Sequence, residues 1–144
     1  MKIIVINGPN LDKMGVRDPK LYGSFSLEKL ADLIGGEFPE HRFDFFQSGL
    51  EGELIQKLHN APANYDGVII NPGGYAHTSV ALRDAIEIIN IPVVEVHMSN
   101  LSSRENFRQS LLTASVCLGY ISGFKEYSYI AGIYLLTKII KQND

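Results

Sequence analysis

A single cysteine, Cys117, stands among the 144 residues, so no disulfide can brace the chain from within. A chain of this length does not need one, since it can bury roughly 68–70% of its unfolded surface. Cys117 lies in the apolar run VCLGYI, the setting of a buried thiol in a reducing compartment rather than of a reactive one. Long apolar runs are missing too: none reaches the roughly 18 residues that would suggest a membrane helix. KIIVIN follows Met1 directly and lacks the apolar core and small-residue cleavage site of a signal peptide, so a cytoplasmic protein is expected. Basic residues are not in excess: 13 Lys and Arg against 16 Asp and Glu give a net charge of −3, with no basic block. That balance argues against nucleic acid, whose affinity rests largely on basic side chains neutralising phosphates. No repeat, low-complexity tract or Pro/Gly/Ser linker divides the chain, and one domain over residues 1–144 is expected.

What is present alternates between two periods. IIVI (3–6), GVII (67–70) and PVVEV (92–96) are short β-branched runs, the pattern of strands covered on both faces; RFDFF (42–46) and SVCLGYI (115–121) are weaker candidates. Between them, Leu27, Leu30, Ala31 and Ile34 recur at the helical period, as do Leu82, Ala85, Ile86 and Ile89. ELIQKLH supplies a further helix, Ser102 and Glu105 have capping-box spacing, and a last helix is expected from about Tyr127 to Lys141. Strand alternating with helix predicts an α/β three-layer sandwich. A five-stranded parallel sheet in the flavodoxin-like order 2-1-3-4-5 suits it, with helices on both faces.

Ligands of such sheets bind beyond the carboxyl ends of the strands. The segments there are NGPN, QSGLEGE, NPGGYAHTS and HMSN, which gather amides, hydroxyls, two imidazoles and glycine turns. Asn71-Pro72-Gly73-Gly74 can be an anion-binding turn or simply a strand-to-helix turn with Thr78 or Ser79 as N-cap. His77 beside it is harder to explain structurally. Glu95 and His97, two apart, point to the same side of their strand, and a carboxylate there fixes an imidazole for proton donation. The competing reading is a structural His-Glu pair at a strand end. A metal site from His77, His97 and Glu95 would lack helical ligand spacing and an acidic rim, so neither metal nor cofactor is expected. Asp84 and Arg108 lie on helices, where charged residues are usually just solvated.

The stretch GVRDPKLYG (15–23) is too broken for a helix, and the segment after the first strand runs to about 17 residues, long for such a connection. Segments of that length are commonly lids over a site. A tyrosine is a poor base near neutral pH unless a cation stabilises its phenolate, and Arg17, on the same segment, could do so for Tyr22.

With these residues assembled, the chain resembles the type II 3-dehydroquinate dehydratases. The likeness is carried by NGPNLDKMG, RDPKLYG, FFQSGLEGEL, VIINPGGYAHTSVALRDA, IPVVEVHMSN and SRENFR, in order over most of residues 3–108. The resemblance implies a flavodoxin-like enzyme that converts 3-dehydroquinate to 3-dehydroshikimate by anti elimination through an enolate, without metal or cofactor. It implies Tyr22 as the base, Arg17 as the cation that activates it, and Asn10 as holder of a water against the enolate oxygen. His97, oriented by Glu95, would be the acid. Asn71 and the backbone N–H groups of Met98 and Ser99 would hold the substrate carboxylate, and His77 and Arg108 its ring hydroxyls. Asp84 would reach a neighbouring subunit's site in a dodecamer of four trimers. Asp12 and Lys13 depart from the neutral residues usual there, and after Arg108 the match is expected to weaken.

A non-catalytic flavodoxin-like binding module is the alternative. A flavin carrier would want hydroxyls in the loop after the first strand, and NGPNLDKMG has no Ser or Thr. A phosphorylated receiver would want Asp where Asn71 stands. A lapsed enzyme would typically have lost Tyr22, Arg17 or His97, and all three are present.

Overall fold

The computed structural model describes residues 1–17, 20 and 24–143. Five strands, β1 (Lys2–Asn7), β2 (Arg42–Gln47), β3 (Gly67–Asn71), β4 (Val93–His97) and β5 (Gly119–Ser122), form one sheet in the order β2-β1-β3-β4-β5. Every neighbouring pair is parallel. The expected doubly wound order is therefore the observed one.

Alternation along the strands explains the layers. Ile3 and Val5 of β1, Ile69 of β3 and Val94 and Val96 of β4 turn to one face, where they pack with Leu30 and Ile34 of α1 (Leu27–Glu37) and Ile133 and Leu136 of α4 (Tyr127–Asn143). Ile4, Ile6, Val68 and Ile70 turn to the other, against Leu54 and Leu58 of α2 (Glu51–Asn60) and Leu82, Ala85 and Ile86 of α3 (Val80–Ile88). Each such aliphatic side chain, fully buried, contributes about 1.5–3 kcal/mol. Hydroxyls cap two helix starts: Ser26 accepts from the Lys29 N–H at 3.1 Å, and Ser79, one of the two caps the sequence offers there, from the Leu82 N–H at 2.9 Å.

Three expectations are corrected. The fifth strand does not begin at residue 115: Ala114–Val116 is a 3-10 turn and pairing starts at Gly119, opposite Val94. Ser102 and Glu105 form no capping box, because the chain makes two short 3-10 turns there. The first is capped by Asn100, which accepts from the Ser102 N–H, and the Glu105 carboxylate is taken by Arg108 at 2.6 Å. Residues 15–23 were expected to hold no helix, yet Met14–Arg17 is a helical turn that buries Met14 against the core.

The loops after β1 and β3 lock together by backbone contact. A Cβ on Gly8 would lie 2.3 Å from the Pro72 carbonyl oxygen, and one on Gly73 would lie 3.0 Å from that of Pro9. Gly8 also donates to the Asn71 carbonyl at 2.8 Å. The obstruction at Gly8 is backbone, which cannot swing aside as a flexible side chain would. Gly8→Ala is therefore expected to destabilise the protein by about 1–3 kcal/mol, the range for overpacking, lowering the thermal midpoint by several degrees in calorimetry.

Candidate active site

The carboxyl rim of the sheet holds a cleft of about 140 Å³ lined by Asn10, Asn71, His77, His97, Met98, Ser99, Arg104 and Arg108, with Leu11, Met14 and Leu101 as apolar walls. Drug-sized ligand sites run to about 300–1,000 Å³. A compact ligand is thus the natural occupant.

Asn10 takes a left-handed conformation, φ 70°, in which a short amide side chain is tolerated, and so turns the chain from β1 onto the 3-10 turn Leu11–Lys13. Asn7 and Asn71, at the ends of β1 and β3, are register partners. Asn71 is buried, its Oδ1 accepting from the Gly73 N–H at 3.2 Å and its Nδ2 donating to the Tyr129 hydroxyl at 2.9 Å. At the end of β4, His97 and Glu95 share one side of the strand as the two-residue spacing predicts, and Nε2 of the ring meets Oε1 of the carboxylate at 2.6 Å. Glu95 is wholly inaccessible and His97 nearly so. A buried carboxylate needs such a partner, and the pairing leaves Nδ1 of His97 for the cleft. The other oxygen of Glu95 lies 3.9 Å from the Cys117 thiol, which burial keeps protonated and whose one proton has a nearer acceptor in the Thr113 carbonyl at 3.3 Å.

His77 comes from the 3-10 turn Gly73–His77 and stacks on His97, ring centres 6.3 Å apart. Its Nδ1 is 2.8 Å from the Ser110 carbonyl, which only an N–H can approach, so Nε2 is left as an acceptor. Burial pushes its pKa down, with the Ser110 carbonyl opposing and His97 and Arg108 reinforcing, so the ring is neutral near pH 7. Arg108 is fixed by Glu105, whose own backbone N–H and the Arg108 guanidinium hold it below the usual carboxylate range.

The structure thus brings Asn10, Asn71, His77, His97, Met98, Ser99 and Arg108 to one cleft with Glu95 behind it. Asp84 does not join them: it is exposed on α3, bonded to Arg83 at 2.8 Å. Tyr22 and the side chain of Arg17 lie outside the described residues. Sequence reasoning missed Arg104, which lines the cleft with Nη1 3.3 Å from the Ser99 hydroxyl. Its signal was within SRENFR, where two arginines four apart flank a turn. It also missed Tyr129, hidden in an apolar helix. Among the described residues, no group of three or more His, Cys, Asp and Glu is arranged to hold a metal ion, and no helix is long and apolar enough to cross a membrane.

Sheet order and rim cleft define a flavodoxin-like α/β protein with a polar site for a small ligand at the carboxyl ends of its strands. Comparison with known proteins sharpens that class. The family model described as dehydroquinase class II matches residues 1–137. A 3-dehydroquinate dehydratase of Clostridium perfringens is 49% identical over 144 residues, covering 98% of this chain and 99% of that protein. That of Carboxydothermus hydrogenoformans is 48% identical, covering 100% and 95%. The crystal structure of the type II dehydroquinase from Butyrivibrio crossotus superposes with a TM-score of 0.92 at 41% identity, over 95% of this chain and 97% of that one. The chain belongs to the class II dehydroquinase family. The match runs on past Arg108 to residue 137, so the weakening expected there does not take the C-terminal third out of the family.

Proposed function

We propose that this protein is a type II 3-dehydroquinate dehydratase, eliminating water from 3-dehydroquinate to give 3-dehydroshikimate. The observation that carries the reading is the buried Glu95–His97 pair, 2.6 Å apart, opening onto the same cleft as Asn71, His77 and Arg108 in a chain of this family.

Each chemical demand of the reaction has a candidate. Tyr22, its phenolate stabilised by Arg17, takes the C2 proton, and the C–H electron pair moves into the ring to give an enolate on the C3 oxygen. Asn10 holds a water against that oxygen, so that a neutral donor meets the charge as it forms. The enolate then collapses, C1–C2 becomes a double bond, and the C1–O bond breaks as His97 delivers its proton, releasing water. Glu95, 2.6 Å from Nε2, fixes the ring for this step. Tyr22 and His97 finish with one proton gained and one lost, so the site resets by passing a proton between them through water. Asn71 and the N–H groups of Met98 and Ser99 take the carboxylate, His77 and Arg108 the ring hydroxyls. No step calls for a metal or a redox cofactor.

Assembly as a dodecamer of trimers is part of the proposal, with Asp84 reaching a neighbouring site. Exposed large apolar side chains in the C-terminal third, among them Leu118, Tyr120, Phe124, Tyr127 and Tyr134, support a subunit contact there. A cytoplasmic location is proposed with it, in keeping with a single thiol that has no internal partner.

The product is a conjugated enone, so the direct test is ultraviolet absorbance on mixing the purified protein with 3-dehydroquinate. A steady rise, unchanged by EDTA, is expected. No rise from folded protein would overturn the reading, and a rise abolished by EDTA would overturn its metal-free chemistry.

A further inference from the structure

Tyr129 is the most deeply buried tyrosine among the described residues, and its position is set by close packing. It lies in the first turn of α4, and Gly132, three residues on, brings the helix onto the sheet: a Cβ there would stand 2.9 Å from a methyl of Val96. That approach carries the phenol under the ends of two strands. Its oxygen is 2.6 Å from Oδ1 of Asn7 and 2.9 Å from Nδ2 of Asn71, with no part of the side chain reaching solvent.

A phenol has one proton to give. The shorter contact is to an amide oxygen, which only accepts, so the proton goes to Asn7, and the phenol oxygen must accept from Asn71. Asn71 can therefore not present its oxygen to Tyr129. The Gly73 N–H, 3.2 Å from Asn71 Oδ1, enforces the same orientation from the opposite side. With Oδ1 occupied and one N–H spent on Tyr129, the second N–H of Asn71 is what the amide offers at the cleft it lines. Burial pushes the Tyr129 pKa up, so the phenol remains a neutral link in this chain.

We propose that Tyr129 is a positioning residue which, through Asn7, locks the Asn71 amide so that it shows the cleft a donor and never an acceptor. The lock selects for an acceptor oxygen on the ligand, a carboxylate above all, and against a group such as an ammonium that can only donate. This rests on the reading of Asn71 as a carboxylate-holding group, and deepens it: the polarity of that contact is decided about two hydrogen bonds away from the ligand.

Tyr129→Phe removes the link and nothing else of the side chain's shape, freeing the amide to turn. With 3-dehydroquinate, KM is expected to rise about tenfold, the effect of one misdirected hydrogen bond to a charged oxygen, while kcat changes by less than about threefold. Asn7→Ala, which leaves the phenol in place but takes away its acceptor, is expected to raise KM in the same direction and keeps the question open to test should Tyr129→Phe fold poorly. The double variant Tyr129→Phe/Asn71→Ala is expected to match Asn71→Ala alone, because a residue acting through Asn71 has nothing left to position. Unchanged KM in both single variants, or additive losses in the double, overturns the proposal. Should the wild-type protein show no turnover, the proposed function fails instead. The lock is then read from the Asn71 side-chain amide protons by NMR: slow exchange in the wild type and fast exchange in Tyr129→Phe support it, and identical exchange overturns it.

Discussion

His97→Ala lowers kcat for 3-dehydroquinate by about 10²–10⁴-fold, the range for losing a positioned general acid, and leaves the protein folded with a lower thermal midpoint. Both halves follow from the same 2.6 Å contact. Hydroxide is a poor leaving group, so without a proton from the ring the enolate persists or returns to substrate. Meanwhile Glu95, wholly buried, loses its close partner, since the Cys117 thiol at 3.9 Å has a nearer acceptor in the Thr113 carbonyl, and breaking a buried pair costs about 3–5 kcal/mol. The two effects separate in His97→Ala/Glu95→Gln. Neutralising the stranded carboxylate is expected to restore most of the midpoint and none of the rate. Wild-type kcat in His97→Ala would remove the ring from the acid's role, and a recovered rate in the double variant would show that the loss came from the stranded charge alone.

Tyr22→Phe is expected to cost a similar 10²–10⁴-fold in kcat, with KM and thermal midpoint nearly unchanged, because a phenol's ring is kept and only its ionisable oxygen goes. Few groups at the site are able to take a carbon-bound proton. The described residues lining the cleft are amides, a hydroxyl, guanidinium groups and two imidazoles, with no carboxylate among them. His97, held by Glu95 at 2.6 Å, has the acid's part in the proposed mechanism. His77 is the rival: it is neutral near pH 7 and has Nε2 free of the Ser110 contact, so it could accept a proton. Burial, with the positive charge of Arg108 among the reinforcing causes, lowers its pKa and makes it a weak base, however. The rival predicts the reverse pattern, with Tyr22→Phe active and His77→Ala dead. Steady-state kinetics on these two variants, read with a deuterium label at C2, decide between the bases.

How far the sequence spoke depends on how local the cause was. Strands with β-branched runs, such as IIVI and GVII, were legible because their two buried faces leave no polar alternation. The Glu95–His97 pair was legible because strand geometry alone puts residues two apart on one side. The fifth strand was placed four residues early, since an apolar run containing Cys117 and Leu118 reads alike whether it pairs or turns, and only the alignment with Val94 settles where pairing begins. Ser102 and Glu105 had the right spacing for a capping box and the wrong neighbours: Asn100 reached the orphan N–H first, and Arg108 drew the carboxylate away. Asn7 and Tyr129 were invisible as partners because 122 positions separate them, and no periodicity links a helix residue to a strand end across a crossover. Arg104 was passed over because one arginine in a charged turn gives no sign of which way it faces.

The mutual contact of Gly8 with Pro72 and of Gly73 with Pro9 has a bearing on how such a protein can change over time. Two loops whose backbones touch leave no room for an inserted residue in either, since any lengthening of one drives a carbonyl into the other. Asn10 and Asn71 are carried by these loops, so the spacing between them is inherited as a unit. Divergence toward a new substrate has to enter through the other contributors to the rim, the stretch following Asn10 and the turns after β4.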